Sequence, residues 1–257
     1  MAIKKSNKLV PDNNICIKGS VQLSSDKSLS IRSVLFASIA YGISHIKINN
    51  PGEDALTSIM AIKKLGIKVT QSDNQYTIYG LGIGYPSLKK RLLINCRNSG
   101  TTLRLLTPLI AGSKVNAKII GDHSLSKRPY RLEFLKEFLM NVKPTKKKFL
   151  PLMINGHANC VKAEIKINKP SAQMVSAATL AGISSFGETI IECPNNVRDH
   201  TSRMLKYLGY SIKTKNFRKK QTIKILGKQF LQPIKNYEVP SDVSSSAFLI
   251  CVAILTK

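Results

Sequence analysis

The feature that most constrains the fold is a threefold internal repeat. Three apolar segments stop at glycines that are 70 residues apart: Gly42, Gly112 and Gly182. Each segment opens with small polar residues, which favour helix N-termini, and glycine favours helix C-termini. Self-similarity at a fixed period predicts repeated structural units. We therefore predict three equivalent helices, each of which ends at its glycine.

The remainder of each repeat predicts further elements in a constant order. Short β-branched segments follow the helices at 45–48, 117–120 and 189–192 and predict strands. A second helix then ends in similar phrases, Leu65-Gly66-Ile67 and Leu208-Gly209-Tyr210. Alternating segments, for example 75–79 and 221–225, predict closing strands. The expected fold is α/β (α+β): a lobe of three βαβαββ repeats.

A fourth repeat begins near the end of the chain. Residues 239–242 resemble 23–26, and an apolar helix predicted from Ala247 reaches Lys257 without a closing glycine or strand. Because one repeat cannot bury its own hydrophobic face, we expect the sequence to be interrupted here. The alternative is a terminal helix that packs on the third repeat. The predicted division is an N-terminal strand of an incomplete lobe (1–20), a complete lobe (21–236) and the start of a second lobe (237–257).

The charge is extreme, since 40 Lys and Arg residues face 14 Asp and Glu residues, which gives +26. Such a charge suggests nucleic acid as a partner. However, the lysines are spread along the chain, Trp is absent, and no run alternates basic and aromatic residues as a stacking surface would. The composition therefore favours small anionic substrates and makes a nucleic-acid partner unlikely.

The sequence favours neither a metal site or disulfide framework nor a membrane span. The five cysteines lack CxxC spacing and the four histidines lack ligand spacing, so we expect reduced thiols and no metal. No apolar run reaches the roughly 18 residues that a membrane span needs. The first residues are basic but contain no apolar signal segment. These observations predict a cytoplasmic protein.

The three helix starts are candidate anion sites. A helix N-terminus carries unpaired N–H groups and about half a positive charge. The cationic residues near these starts, whose side chains suit carboxylate and phosphate groups, are Lys27, Arg32, Arg104, Arg128 and Arg198. Ser28 or Ser171 alone is more often a simple cap, and Arg104, inside a predicted helix, is also explained by a surface charge or an ion pair.

At these positions the sequence resembles the enolpyruvyl transferases. The matching phrases are 26–32 (DKSLSIR), 98–104 (NSGTTLR), 121–129, 171–173 (SAQ), 198–201 (RDHT) and 239–245 (VPSDVSS). They occur in the order of the family and cover nearly the whole chain. The match is to members that transfer the enolpyruvyl group of phosphoenolpyruvate to the 5-hydroxyl of shikimate 3-phosphate, releasing phosphate, in aromatic amino acid biosynthesis.

The resemblance implies two similar lobes of three βαβαββ units that close on the substrates, without a metal or organic cofactor, in a monomer at full length. It also implies substrate-binding residues, namely Lys27, Ser28, Arg32, Asn98, Gly100, Arg128, Ser171, Ala172, Gln173 and Arg198. Lys27 is expected to contact both substrates, Arg128 the phosphoenolpyruvate, and Ser171 the shikimate phosphate. The catalytic acid and base are expected beyond Lys257, so the chain alone is expected to be inactive.

Two positions depart from the family pattern. Val197 stands where the family usually has a serine that contacts the shikimate phosphate, and Arg97 where it often has glycine. The rival family member, which acts on UDP-N-acetylglucosamine, would have asparagine at Ser28 and a cysteine within 121–130. Two further alternatives stay open: a non-catalytic lobe that binds a ligand or a partner lobe, and an RNA-binding or RNA-processing relative of the same repeat fold.

Overall fold

Residues 19–88 and 90–255 are described by a computed structural model, in which three four-stranded sheets surround three central helices. The first repeat contains α1 (Lys27–Ile39), β1 (Tyr41–Lys47), α2 (Glu53–Lys64), β2 (Lys68–Ser72) and β3 (Gln75–Leu81). The second contains β4 (Leu92–Asn95), α3 (Gly100–Ala111), β5 (Asn116–Ile120), α4 (His123–Ser126), a 3₁₀ helix (Glu133–Phe138), β6 (Asn141–Lys146) and β7 (Phe149–Asn155). The third contains β8 (Glu164–Lys166), α5 (Ala172–Ser184), β9 (Glu188–Pro194), α6 (His200–Tyr207), β10 (Ile212–Phe217) and β11 (Lys220–Leu226), and β12 (Tyr237–Glu238) and α7 (Val243–Leu255) follow.

The three sheets share one strand order. They run β12-β1-β3-β2, β4-β5-β7-β6 and β8-β9-β11-β10, with the first pair parallel and the others antiparallel. In the second and third repeats the parallel pair flanks a helix, as a βαβ unit requires. In the first, the edge strand comes from the far end of the chain, where Ile46 pairs with Tyr237 and Lys47 with Glu238.

This pairing joins the first repeat to the segment after the third. The residues of β12 belong to the predicted second lobe (237–257), yet they pair with a strand of the first lobe. The boundary at 236 stays a prediction. The strand predicted within 1–20 lies almost entirely outside the described residues. The predicted βαβαββ lobe agrees with the observed architecture.

The core lies between the central helices and the sheets. All of α3 is buried, as are most residues of α1 and α5. Gly112 allows α3 and α5 to approach each other closely, because a Cβ atom there would lie 2.5 Å from the Cβ atom of Ser184. Since the three helices enter the core side by side, their first residues come to one face of the lobe, where the cavities described below lie.

Two predicted helix ends are wrong and one is confirmed. Gly112 caps α3 as predicted. By contrast, α1 ends at Ile39, Gly42 lies within β1, and α5 continues past Gly182 to Ser184. The reason at α1 is tertiary: the N–H of Gly82 donates to the carbonyl oxygen of Ala40 at 3.0 Å and satisfies the helix end.

The repeated Leu-Gly phrases have a local explanation. Gly66 and Gly209 adopt positive φ values of 88° and 77° directly after α2 and α6. The next residue then donates back across the turn, from the N–H of Ile67 to the carbonyl of Ile62 at 3.1 Å. This is the Schellman arrangement, which glycine favours because it lacks a Cβ atom.

Candidate functional site

The starts of α1, α3 and α5 differ in how they are capped. Asp26 accepts from the N–H of Leu29 at 2.8 Å, and Ser99 from that of Thr102 at 3.3 Å. Ser171 occupies the cap position of α5, but its side chain makes no cap hydrogen bond. The simple-cap interpretation is therefore wrong for Ser171, and the first N–H groups of α5 remain available to a ligand.

Two cavities lie at these helix starts. The large cavity, of about 630 Å³, is lined by residues around the starts of α1 and α3. The small cavity, of about 360 Å³, lies at the starts of α5 and α6. Gln173 lines both, so the cavities adjoin at its side chain.

All ten residues expected to bind substrate line one of the two cavities. Lys27, Asn98, Gly100, Arg128 and Gln173 line the large cavity. Ser28, Arg32, Ser171, Ala172, Gln173 and Arg198 line the small one. The fold thus brings together positions that lie up to 171 residues apart in the sequence, since Lys27 and Arg198 belong to the first and third repeats.

Arg32 is a buried cation without an anionic partner. Arg32 is 4% exposed, and none of the ion pairs found among the described residues includes it. Its guanidinium donates from Nε to Oγ1 of Thr201 (2.9 Å), from Nη1 to the carbonyl of Ser28 (3.0 Å) and from Nη2 to Oγ of Ser176 (3.0 Å). Burial lowers the pKa of Arg32 to about 10, and the charge of Asp26 opposes this shift. Arg32 therefore stays charged at neutral pH.

Gln173 is held in one orientation by its neighbours. Its Oε1 accepts from Nη1 of Arg104 at 3.0 Å, and its Nε2 donates to Oγ1 of Thr101 at 3.0 Å. Arg104 also donates to the carbonyl oxygens of Gly100 and Pro129. Because Oε1 is engaged by a cation, Gln173 can offer the cavities its remaining Nε2–H as a donor.

The surface-charge and ion-pair interpretations of Arg104 are wrong. Arg104 is 9% exposed, lines the large cavity and has no ion pair among the described residues. Burial lowers its pKa, and the positive charges of Arg131 and Arg128 lower it further. Arg104 and Arg128 thus place two positive charges on this wall of the large cavity.

Two exposed cations on the rim of the large cavity are partly engaged. Nζ of Lys27 lies 3.5 Å from a carboxylate oxygen of Asp54. Nη2 of Arg128 donates to Oδ1 of Asn98 at 3.0 Å and to Oγ of Ser124 at 2.9 Å. Asn98 therefore orients Arg128.

Gly100 lies against the side chain of Arg104. A Cβ atom at this position would lie 2.7 Å from Nη1 of Arg104. The glycine therefore leaves space for the arginine that holds Gln173, besides allowing close approach of a ligand to the start of α3.

The two departures from the family pattern are placed differently. Val197 lines the small cavity and offers no hydroxyl group there. Arg97 is exposed, has a positive φ of 46° and is not among the residues that line either cavity. Arg97 therefore faces solvent rather than either cavity.

Several site residues were missed by the sequence analysis. Ser176 and Thr201 hold Arg32, Thr101 holds Gln173, and Asp54 and Asp242 line the large cavity. The available signal was a serine within the apolar segment 174–183, which predicts a buried hydroxyl in need of a partner. Its partner is 144 residues away, which local patterns do not reveal.

Comparison with known proteins decides the family. The family model described as EPSP synthase (3-phosphoshikimate 1-carboxyvinyltransferase) matches residues 12–257. The chain belongs to the EPSP synthase family. A 3-phosphoshikimate 1-carboxyvinyltransferase of Bacillus cytotoxicus is 36% identical over 237 residues, which are 91% of this chain and 54% of the relative. One of Hydrogenovibrio crunogenus is 33% identical over 244 residues, 94% of this chain and 55% of the relative.

Solved structures agree with this assignment. The EPSP synthase from Acinetobacter baumannii superposes with a TM-score of 0.80 at 34% identity, over 90% of this chain and 52% of that one. The enolpyruvyl transferase NikO from Streptomyces tendae, at 17% identity, has a TM-score of 0.63 over 91% of this chain and 54% of that one, and shares the fold. The chain spans about half the length of the curated relatives that it matches.

Neither a metal site nor a membrane helix occurs in the described part of the chain. Among residues 19–88 and 90–255, no group of three or more His, Cys, Asp or Glu side chains could hold a metal ion. Within the same ranges, no helix is both long and apolar enough to cross a bilayer.

Proposed function

We propose that this chain forms the lobe of an EPSP synthase that binds shikimate 3-phosphate and phosphoenolpyruvate. The observation that carries the proposal is Arg32, a buried cation with no anionic partner in the described structure, beside an uncapped helix start. Burying an unpaired charge is unfavourable, so such a site suits a ligand that brings the missing anion.

The two cavities suggest how the ligand groups are divided. In the small cavity the uncapped start of α5 at Ser171 suits the phosphate of shikimate 3-phosphate, and Arg32 suits its carboxylate. Ser28 and Arg198 border the same space. The large cavity, with Arg128 and Lys27 on its rim, suits phosphoenolpyruvate.

The proposed reaction is the one named for the family. The 5-hydroxyl oxygen of shikimate 3-phosphate forms a bond to C2 of phosphoenolpyruvate, the bond from C2 to the phosphate oxygen breaks, and inorganic phosphate leaves. The contribution of this lobe is to hold two anions close together and to stabilise the charge on the departing phosphate. The reaction also requires a group that removes the hydroxyl proton.

Calorimetric titrations of shikimate 3-phosphate and of phosphoenolpyruvate into the 257-residue chain test the proposal. Lys27→Gln is the informative variant, since the side chain is 65% exposed and its loss should leave the fold intact. We expect the affinity for phosphoenolpyruvate, assigned to the large cavity that Lys27 borders, to fall about 10-fold or more, because a hydrogen bond to a charged group contributes about 1.5–3 kcal/mol. Lys118→Gln, an exposed site on β5, is the matched control. A folded wild-type chain that binds neither substrate would overturn the proposal.

A further inference from the structure

The guanidinium of Arg32 is only partly used by the protein. It has five N–H groups, and three of them are engaged by Thr201, Ser176 and the carbonyl of Ser28. By count, one N–H remains on each of Nη1 and Nη2. Two parallel N–H groups of this kind form the fork that binds a carboxylate through both of its oxygens.

The two hydroxyl groups that hold Arg32 form a pair. Oγ1 of Thr201 donates to Oγ of Ser176 at 2.8 Å, and the residues are 4% and 2% exposed. One comes from α6 and the other from α5, whereas Arg32 comes from α1. Because the pair accepts from Nε and Nη2, it occupies one edge of the planar guanidinium.

The chemical nature of this support has a consequence for binding. A carboxylate in place of the hydroxyls would orient the guanidinium, but it would also neutralise its charge. Hydroxyl groups orient without neutralising, so the full positive charge stays available in a buried site, where electrostatic attraction is stronger than in water. The lowered pKa of Arg32 reflects the cost of keeping this charge buried.

We propose that Ser176 and Thr201 are positioning residues that fix the guanidinium plane of Arg32, so that its free N–H pair faces a carboxylate of the ligand in the small cavity. The inference rests on the proposed function, since it concerns how shikimate 3-phosphate is recognised. It assigns carboxylate selectivity to two neutral side chains that lie behind Arg32 and need not contact the ligand.

The test compares two ligands on matched variants. Calorimetry would measure the affinities of shikimate 3-phosphate and of its methyl ester, which lacks the carboxylate charge, for the wild-type chain, Thr201→Val and Thr201→Ser. We expect the wild type to prefer the acid by about 10-fold or more, which corresponds to about 1.4 kcal/mol. Thr201→Val, similar in size but without the hydroxyl, should lose most of this preference. Thr201→Ser should keep it.

A merely structural role would give a different result. If Thr201 only supported the fold, Thr201→Val would lower the affinities for both ligands equally and leave their ratio unchanged. That result would overturn this inference but not the proposed function. Ser176→Ala removes the other hydroxyl and should also lower the ratio, so the test remains decisive if Thr201→Val does not fold. A wild-type chain that is folded but binds neither ligand would overturn the proposed function, and the inference with it.

Discussion

Two helices of the same length and similar apolar character have opposite environments in this molecule. Both α5 and α7 contain 13 residues and are apolar on most sides. Eleven residues of α5 are buried, whereas none of α7 is. α5 packs against α3, α6 and its own sheet, but α7 is joined to the lobe at its start, where Asp242 N–H donates to the carbonyl of Ser24. Apolar composition favours burial, but neighbouring elements must supply the surface.

The difference also affects the cavities at the helix starts. Gln173 and Ser176 belong to a helix whose body is fixed by packing, so their polar groups are held in place. Asp242, which precedes α7, and Ser245, within it, also line the large cavity, but α7 has no buried residues. Packing of the supporting element governs local stability, so one wall of the large cavity is expected to be more rigid than the other.

The largest expected contrast is between equivalent leucine substitutions. Leu180 in α5 is fully buried, and Leu249 in α7 is 42% exposed. Leu180→Ala should lower the free energy of unfolding by about 2–5 kcal/mol, because it removes buried surface and leaves a cavity. Leu249→Ala should change it by no more than about 0.5 kcal/mol. Urea unfolding followed by circular dichroism measures both; equal losses would show that α7 is packed as α5 is.

Thiol labelling sharpens the same contrast. Cys251 in α7 is exposed, whereas Cys96 and Cys160 are buried. Burial raises the pKa of Cys96 to about 12 and that of Cys160 to about 11, from 9.0. At pH 8 their thiolate forms are therefore about 100-fold or more scarcer than that of a thiol with the ordinary pKa. Because Cys251 is also the exposed thiol of this set, iodoacetamide should modify it first.

Mass spectrometry of peptides from a Cys16→Ser background would follow each site. Cys16 lies outside the described residues, and its removal leaves the four cysteines whose environments are known. Cys251→Ser should abolish the fast reaction. Modification of Cys96 in the folded chain as rapidly as Cys251 would contradict the comparison.

The helix caps should show a smaller and reversed contrast, because the exposed helix α7 has a side-chain cap and the buried helix α5 has none. Oδ1 of Asp242 accepts from the N–H of Ser244 at 2.9 Å, whereas Ser171 makes no cap bond at α5. Asp242→Ala should destabilise the first turn of α7 by about 0.5–2 kcal/mol, visible as faster hydrogen exchange there. Ser171→Ala should leave the exchange of α5 unchanged while weakening phosphate binding. Faster exchange throughout α5 in that variant would contradict this expectation.

The smallest expected effect is a pH dependence at the start of α6, the helix that packs on α5. Burial lowers the pKa of His200 from 6.5, and the charge of Arg32 lowers it further. Because the unfolded chain then binds more protons, the contribution of His200 to stability is complete above pH 6.5 and is lost as the pH falls through the lowered pKa. Denaturant unfolding between about pH 5 and 7.5 should show a shallower decline for His200→Gln. An identical decline would rule out this residue as the cause.

The sequence predicted the repeated architecture because its signals are local. Asp26 and Ser99 cap helices as their residue types suggest, and Gly66 and Gly209 close turns that need a positive φ. The prediction failed at Gly42, since the end of α1 is satisfied by Gly82, which follows β3. All ten predicted site residues line the two cavities, but their roles in binding stay predictions, and so do the domain boundaries.

The sequence by itself determined the periodic elements, the positions of the helix starts and the set of anion-binding candidates, because capping, turn chemistry and motif order depend on residues close together in the chain. Only the tertiary structure decided that β12 completes the first sheet, that α5 is buried while α7 is exposed, and that neutral hydroxyls hold Arg32. The strand pairing and the support of Arg32 depend on atoms brought together across 144 to 191 positions, as between Ser176 and Arg32 or Ile46 and Tyr237. Burial, and with it the energetics of a charge, is set by that assembly.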